Sequence, residues 1–228
     1  MKRVLQVFAK APVAGQVKTR LHPALGSDGA AALQRALIER TLSLATAACP
    51  GTVSEIELWC APHTTHPFFA ECAQRFPVAL RTQPPTDLGL RMRHALADAL
   101  ARDCLPVLIG TDCPALTVAE LAQAFDALHG SEAEGVESAF CAPDIVLLPT
   151  EDGGYALIGA RRLDAALFDG IAWSTSEVFA QTRSRIAALG WRLHELETGW
   201  DVDRPDDLAR LRELAPALLD HIESRMTR

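Results

Sequence analysis

Residues 105–109, LPVLI, form an unbroken apolar run of strand length, and this run most narrows what the chain can fold into. A strand with one wet face alternates apolar and polar side chains, whereas a strand covered on both faces does not. The flanking sequence offers the cover. Strand-like segments at 3–9, 55–60, 78–82, 144–148, 155–158 and 191–196 alternate with helical patterns. These begin at Ser27 or Asp28, at Thr64 or Thr65 with Pro67, at Asp87, at Thr117, at Glu177 and at Pro205. The alternation predicts a mostly parallel sheet sandwiched between helices, with ligands at the carboxyl ends of the strands. The polar stretch 129–138, HGSEAEGVES, reads as a surface connection, and 228 residues are expected to make one domain.

Charge narrows the function. A net charge of −7 and an isoelectric point near 5.5 exclude the broad basic surface of a nucleic-acid or anionic-membrane binder, so any anion must be held locally. No acid occurs before Asp28, while Lys2, Arg3, Lys10, Lys18 and Arg20 do. The N-terminal apolar stretch is interrupted by Lys10 too soon for a signal peptide, and no window approaches the ~18 apolar residues of a membrane span. A cytoplasmic location is expected. The six cysteines form no C-x-x-C pair and read as reduced core thiols. The leucines at 211, 214, 218 and 219 can cover the core or form a contact face, which leaves oligomeric state open.

Five stretches carry candidate chemistry. After the first strand comes KAPVAGQVKTR, in which Gly15 lets backbone approach a ligand and Lys18 and Arg20 offer charge-assisted donors to a pyrophosphate. It is not a Walker loop, because Val17 stands where the second glycine is needed. GTDCP follows the most apolar strand. Its Asp112 can aim a carboxylate at a divalent metal bridging phosphates, or close an Asx turn. EDGGY, between two strands, is a hairpin-turn signal and also leaves room for a sugar or phosphate against Gly153 and Gly154. Asp201 and Asp203 share one side of an extended backbone, so they can complete a metal site with Asp112, or Asp203 can cap the last helix. In QPPTDLGLRM, Gln83 can read a base edge and Gly89 can admit a ring, or the segment simply connects strand to helix.

Taken in order, AKAPVAGQVKTRL, DLGLRM, GTDCP, EDGGYALIG, WST and DVDRPDDL resemble a bacterial glycosyltransferase-like family of the nucleotide-diphospho-sugar transferase superfamily, which has the GT-A fold. The resemblance spans the whole chain. It implies a Rossmann-like three-layer α/β/α sandwich holding a nucleotide or NDP-sugar and Mg²⁺ or Mn²⁺. Lys10, Pro12, Gly15, Lys18, Arg20, Gln83 and Gly89 would then bind the nucleotide and its phosphates. Asp152, Gly153, Gly154, Tyr155, Trp173 and Ser174 would face the donor sugar or acceptor, and Asp112, Asp201 and Asp203 would hold the metal. Asp112 and Lys18 would be the catalytic residues. Gly110 replaces the first acid of the superfamily's D-x-D. The implied reaction is sugar transfer from a nucleotide. Its alternatives are a nucleotidyltransferase, like the related phospholactate guanylyltransferases, and a nucleotide-binding module without catalysis.

Overall fold

In the computed structural model, which describes residues 1–49, 51–130 and 142–220, the apolar run at 105–109 lies inside strand β4 (Cys104–Ile109), buried at all six positions. Around it are β1 (Lys2–Lys10), β2 (Glu55–Ala61), β3 (Val78–Thr82), β5 (Ile145–Pro149), β6 (Tyr155–Ala160) and β7 (Leu193–Glu195). They make one seven-stranded sheet in the order β3-β2-β1-β4-β6-β5-β7. Among the described strands only β6 runs against the rest, forming antiparallel ladders with β4 and β5. Pro106 cannot donate to a ladder, and it is tolerated because pairing between β4 and β6 begins only at Val107.

Among the described residues the sheet is flanked by helices α1 (His22–Ala48), α2 (Pro67–Arg75), α3 (Leu88–Ala101), α4 (Val118–His129), α5 (Val178–Ala188) and α6 (Asp207–Leu214). Alternation along the strands divides the core. Leu5, Val7 and Ala9 of β1 join Ile38, Leu42, Phe69 and Phe125 from α1, α2 and α4 on one face. Phe8 and Trp59 join Met92, Leu96 and Ile186 from α3 and α5 on the other. The three-layer sandwich expected from the sequence is the observed architecture.

The departures are local. Within α1 a short helical turn entered through Pro23 precedes Gly26 (φ 66°, ψ 176°), whose non-helical backbone separates it from the long helix that follows, so the start expected at Ser27 or Asp28 holds for the main helix. His66, not a threonine, caps α2: its ring accepts the Phe68 N–H at 3.3 Å. The last helix starts at Asp207, two residues beyond Pro205. Its cap is also reassigned, since the Asp207 carboxylate accepts the N–H groups of Asp203 and Arg204 at 2.9 and 2.7 Å. Of the polar stretch 129–138, all but His129 and Gly130 fall outside the described residues.

The strand order determines where a ligand can lie. From β1 the chain winds outward through β2 and β3, then returns to place β4 on the other side of β1. The carboxyl ends of β1 and β4 therefore diverge at a topological switch point, where open α/β sheets form their crevice. The loops leaving those two ends carry Lys18 and Asp112.

Candidate active site

Three loops meet over this switch point. Lys18 has a left-handed backbone (φ 47°), and its ammonium is almost wholly withdrawn from solvent, with 3% of the side chain exposed. It donates to the Val202 carbonyl at 2.6 Å and lies 2.8 Å from Asp112 Oδ1. A third link closes the triangle, since the Val202 N–H donates to the Asp112 carbonyl at 2.8 Å. Burying an ammonium is costly unless it is paired, and here a carboxylate and a carbonyl pair it.

Asp201 adjoins this triangle. Burial first, then the charges of Asp112 and Asp152, push its carboxyl up to about 7, against the opposing pull of Lys18. Its neighbour Val202 is fully buried on the opposite side of the backbone, and Asp203, which lines both recesses together with Asp201, pairs with Arg20. Several carboxylates thus crowd one buried ammonium, a donor set that suits a divalent cation. Among the described residues, however, no three His, Cys, Asp or Glu side chains are gathered into a ready-made ion cage. This fits the usual binding of Mg²⁺, through one or two carboxylates plus substrate phosphate oxygens.

Two recesses open on either side of the triangle. The larger, about 740 Å³, is walled by Lys18, Arg20, Leu88, Met92, Asp112, Asp152, Gly154, Tyr155, the run Trp173–Ser176, Trp200 and Asp201, among others. The smaller, about 410 Å³, is walled by Phe8, Lys10, Gln16, Gln34, Gln83, Arg91, Gly110 and Thr111, and shares Lys18, Leu88, Asp112, Tyr155, Asp201 and Asp203 with the larger.

The loop from β5 to β6 runs through five residues, 150–154, rather than a two-residue turn, and the Thr150 N–H donates to the Gly154 carbonyl at 3.1 Å. Asp152 is fixed within it, accepting from Thr150 Oγ1 at 2.6 Å and the Gly154 N–H at 3.0 Å. Gly153 (φ 88°) is demanded by space as well as backbone, because a Cβ there would sit 2.0 Å from the Ser176 carbonyl oxygen. Tyr155 turns its hydroxyl inward toward Met92 and Thr182, and burial raises its pKa. Cys113 also borders the smaller recess, where burial holds its thiol up at about 11, so it is not a thiolate nucleophile at neutral pH.

Some motif residues lie apart from these walls. Gly15 (φ 80°) turns the first loop, and Pro12 is half-buried in it. Lys10 reaches the smaller recess but donates to the Gln16 carbonyl at 2.7 Å. The Gln83 amide donates to the Trp59 and Ala9 carbonyls at 2.8 and 3.4 Å, leaving its own oxygen for other partners. Gly89 does admit a ring, and that ring is the indole of Trp173. Wall residues absent from the sequence reading include Met92, Trp200, Arg204 and the hydroxyls of Thr175 and Ser176. The adjoining WST motif was the one clue to the hydroxyls. A backbone partner such as Val202 has no sequence signal at all.

This arrangement is the nucleotide-diphospho-sugar transferase fold. A structure from Desulfovibrio desulfuricans G20, a candidate nucleotide-diphospho-sugar transferase, matches with a TM-score of 0.79 at 25% identity, over 98% of this chain and 96% of that one. A Methanothermobacter nucleotidyl transferase matches at TM-score 0.55 and 15% identity, over 99% and 100% of the two chains. The 4-diphosphocytidyl-2C-methyl-D-erythritol synthase of Anaerococcus prevotii matches at 0.54 and 10%, over 100% and 97%. The last two share the fold alone. The chain belongs to the DUF2064 family, described as "Uncharacterized protein conserved in bacteria", whose profile matches residues 41–175. No curated protein matches it.

Proposed function

We propose that this protein is a transferase that takes a sugar from a nucleoside-diphosphate sugar. The nucleoside occupies the smaller recess, the diphosphate lies over Lys18, and the sugar lies in the larger recess. The wall of the larger recess carries this reading. There the Trp173 indole is followed by three hydroxyl side chains, Ser174, Thr175 and Ser176, and faces Asp152 and Gly154. An aromatic side chain and a row of hydroxyls suit a polyhydroxylated ring. Six carboxylates (Asp112, Glu151, Asp152, Asp201, Asp203, Asp207) and three cations (Lys18, Arg20, Arg204) line this recess, a balance unfavourable to a phosphorylated acceptor.

Transfer needs the anomeric C–O bond to break as the acceptor oxygen attacks, leaving negative charge on the departing diphosphate. Lys18, already desolvated, offers fixed positive charge where that develops. Mg²⁺ or Mn²⁺ would be held by Asp112 with Asp201 or Asp203, and when bound it neutralises the diphosphate further. Asp152, anchored by Thr150 and Gly154, presents its carboxylate to the sugar's hydroxyls. Gly153 and Gly154 keep that side of the recess free of bulk.

The fold neighbours that are nucleotidyltransferases define the rival chemistry. Incubation with Mn²⁺ and either UDP-glucose and GDP-mannose, or NTPs with sugar phosphates, separates the two. Release of free nucleoside diphosphate from the NDP-sugars is the expected result. Release of pyrophosphate from an NTP would replace sugar transfer with nucleotidyl transfer.

A further inference from the structure

Gly89 stands in the first turn of α3, where alanine is ordinarily the better residue by about 1 kcal/mol. Its lack of a side chain has a specific use. A Cβ on Gly89 would lie 2.5, 2.7 and 2.8 Å from Cζ2, Cε2 and Nε1 of Trp173, closer than such atoms approach in real proteins. The indole also stacks against the ring of Phe168, at 6.4 Å between centroids and 29° between planes. Trp173 is therefore held by two contacts, a helix notch and an aromatic neighbour. The next residue, Ser174, takes a left-handed backbone (φ 66°), which non-glycine residues adopt rarely and at a cost. Ser176 is held in turn, its carbonyl in the space that Gly153 leaves free.

We propose that Gly89 is a positioning residue. Its notch seats Trp173 as the wall of the larger recess, and the depth of that notch sets how thick a ring the recess admits beside the indole. The second half of this claim rests on the sugar-binding reading above, whereas the seating itself does not. A methyl group at position 89 must displace the indole, and its displacement reshapes the recess that the indole walls. Gly89 then acts on the sugar's compartment and leaves the nucleoside's compartment alone, because Trp173 lines only the larger recess.

The test is a pairwise substitution in the full chain. Gly89→Ala is compared with Trp173→Leu, which removes all three contacting atoms, and with the double variant. Trp173 emission is taken as the difference between each protein and its Trp173→Leu counterpart, and binding is measured for UDP-glucose, GDP-mannose, UDP and GDP. Gly89→Ala is expected to shift the Trp173 emission and weaken NDP-sugar binding about tenfold, with UDP or GDP binding unchanged. Added to Trp173→Leu, it is expected to change neither binding nor melting temperature. The proposal fails if Gly89→Ala leaves Trp173 emission unchanged, or if it weakens NDP-sugar binding equally in the Trp173→Leu background. If the unaltered protein binds UDP and GDP but neither NDP-sugar, the sugar reading falls, and the emission result alone decides the seating.

Discussion

The two recesses share a floor but differ in charge. Three cations (Lys10, Lys18, Arg91) balance three carboxylates (Asp112, Asp201, Asp203) around the smaller one, whereas carboxylates outnumber cations six to three around the larger. Their build differs as well. The smaller is enclosed by strand ends and the first loop. The larger is walled by connecting segments at 150–154 and 173–176 that are held by close backbone packing. The proposed nucleoside-diphosphate sugar, charged at its middle and rich in hydroxyls at one end, would place its charge at the shared floor. The division also means that damage to one recess can be separated from damage to the other.

The largest effect is expected at Gly153. Replacement by alanine meets the Ser176 carbonyl and an unfavourable φ together, and should cost about 3 kcal/mol or more in chemical denaturation. Nucleoside diphosphate binding by the folded fraction should persist, and its loss would show that the recesses are not separable. Next comes Lys18→Met, which strips the shared floor of its buried cation and leaves Asp112 unpaired. Binding of nucleotide alone and of NDP-sugar should both fall by about 100-fold, or ~3 kcal/mol by calorimetry. An effect confined to one ligand would break the idea of a common floor.

Asp201 gives a smaller, pH-dependent effect. Its folded-state pKa of about 7 lies above the ordinary 3.8, so between those values the folded chain holds a proton that the unfolded chain has released. Stability without metal should therefore fall as pH rises from about 4 to 7 and level off above 7. Asp201→Asn should remove this slope and stabilise the protein at pH 8 by about 1–2 kcal/mol, a figure reduced for partial solvent access. A slope that survives the substitution would move the strain to another group. Gln83→Ala is expected to be mildest, costing about 1 kcal/mol for the hydrogen bonds to Trp59 and Ala9. It should weaken nucleotide binding without altering the emission of Trp173.

Much of the fold was legible because burial leaves a periodic trace. LPVLI marked a doubly covered strand, and Asp87 and Thr117 marked helix starts, since both cap a following N–H with their own side-chain oxygens. The break at Gly26 was legible, since the stretch ending there read as loop and Ser27 or Asp28 as the next cap, but the short helical turn that begins at His22 was not. The order of the motifs brought Lys18, Asp112 and Asp201 into view, but not how they meet. Lys18 spends its charge on a carbonyl 184 positions away and on Asp112, and a carbonyl carries no residue identity. Asp201 and Asp203, two positions apart, looked equivalent. Both line the two recesses, yet the charge of Asp112 bears on Asp201 whereas Asp203 pairs with Arg20. Gly89 showed that a ring would be admitted, and only three-dimensional packing could show that the ring belongs to the protein itself.

The bond from Lys18 to Val202 also bears on the time course of folding. A contact spanning 184 positions closes one of the longest loops that a chain of 228 residues can make. Contacts of high sequence separation form late, and during synthesis this one cannot form until Val202 has left the ribosome. Strands β1 to β4 can associate long before then, so a nascent chain can carry most of its sheet while its floor remains open. If nucleotide lies over Lys18 as proposed, competence to bind it would report that the segment around Val202 has docked.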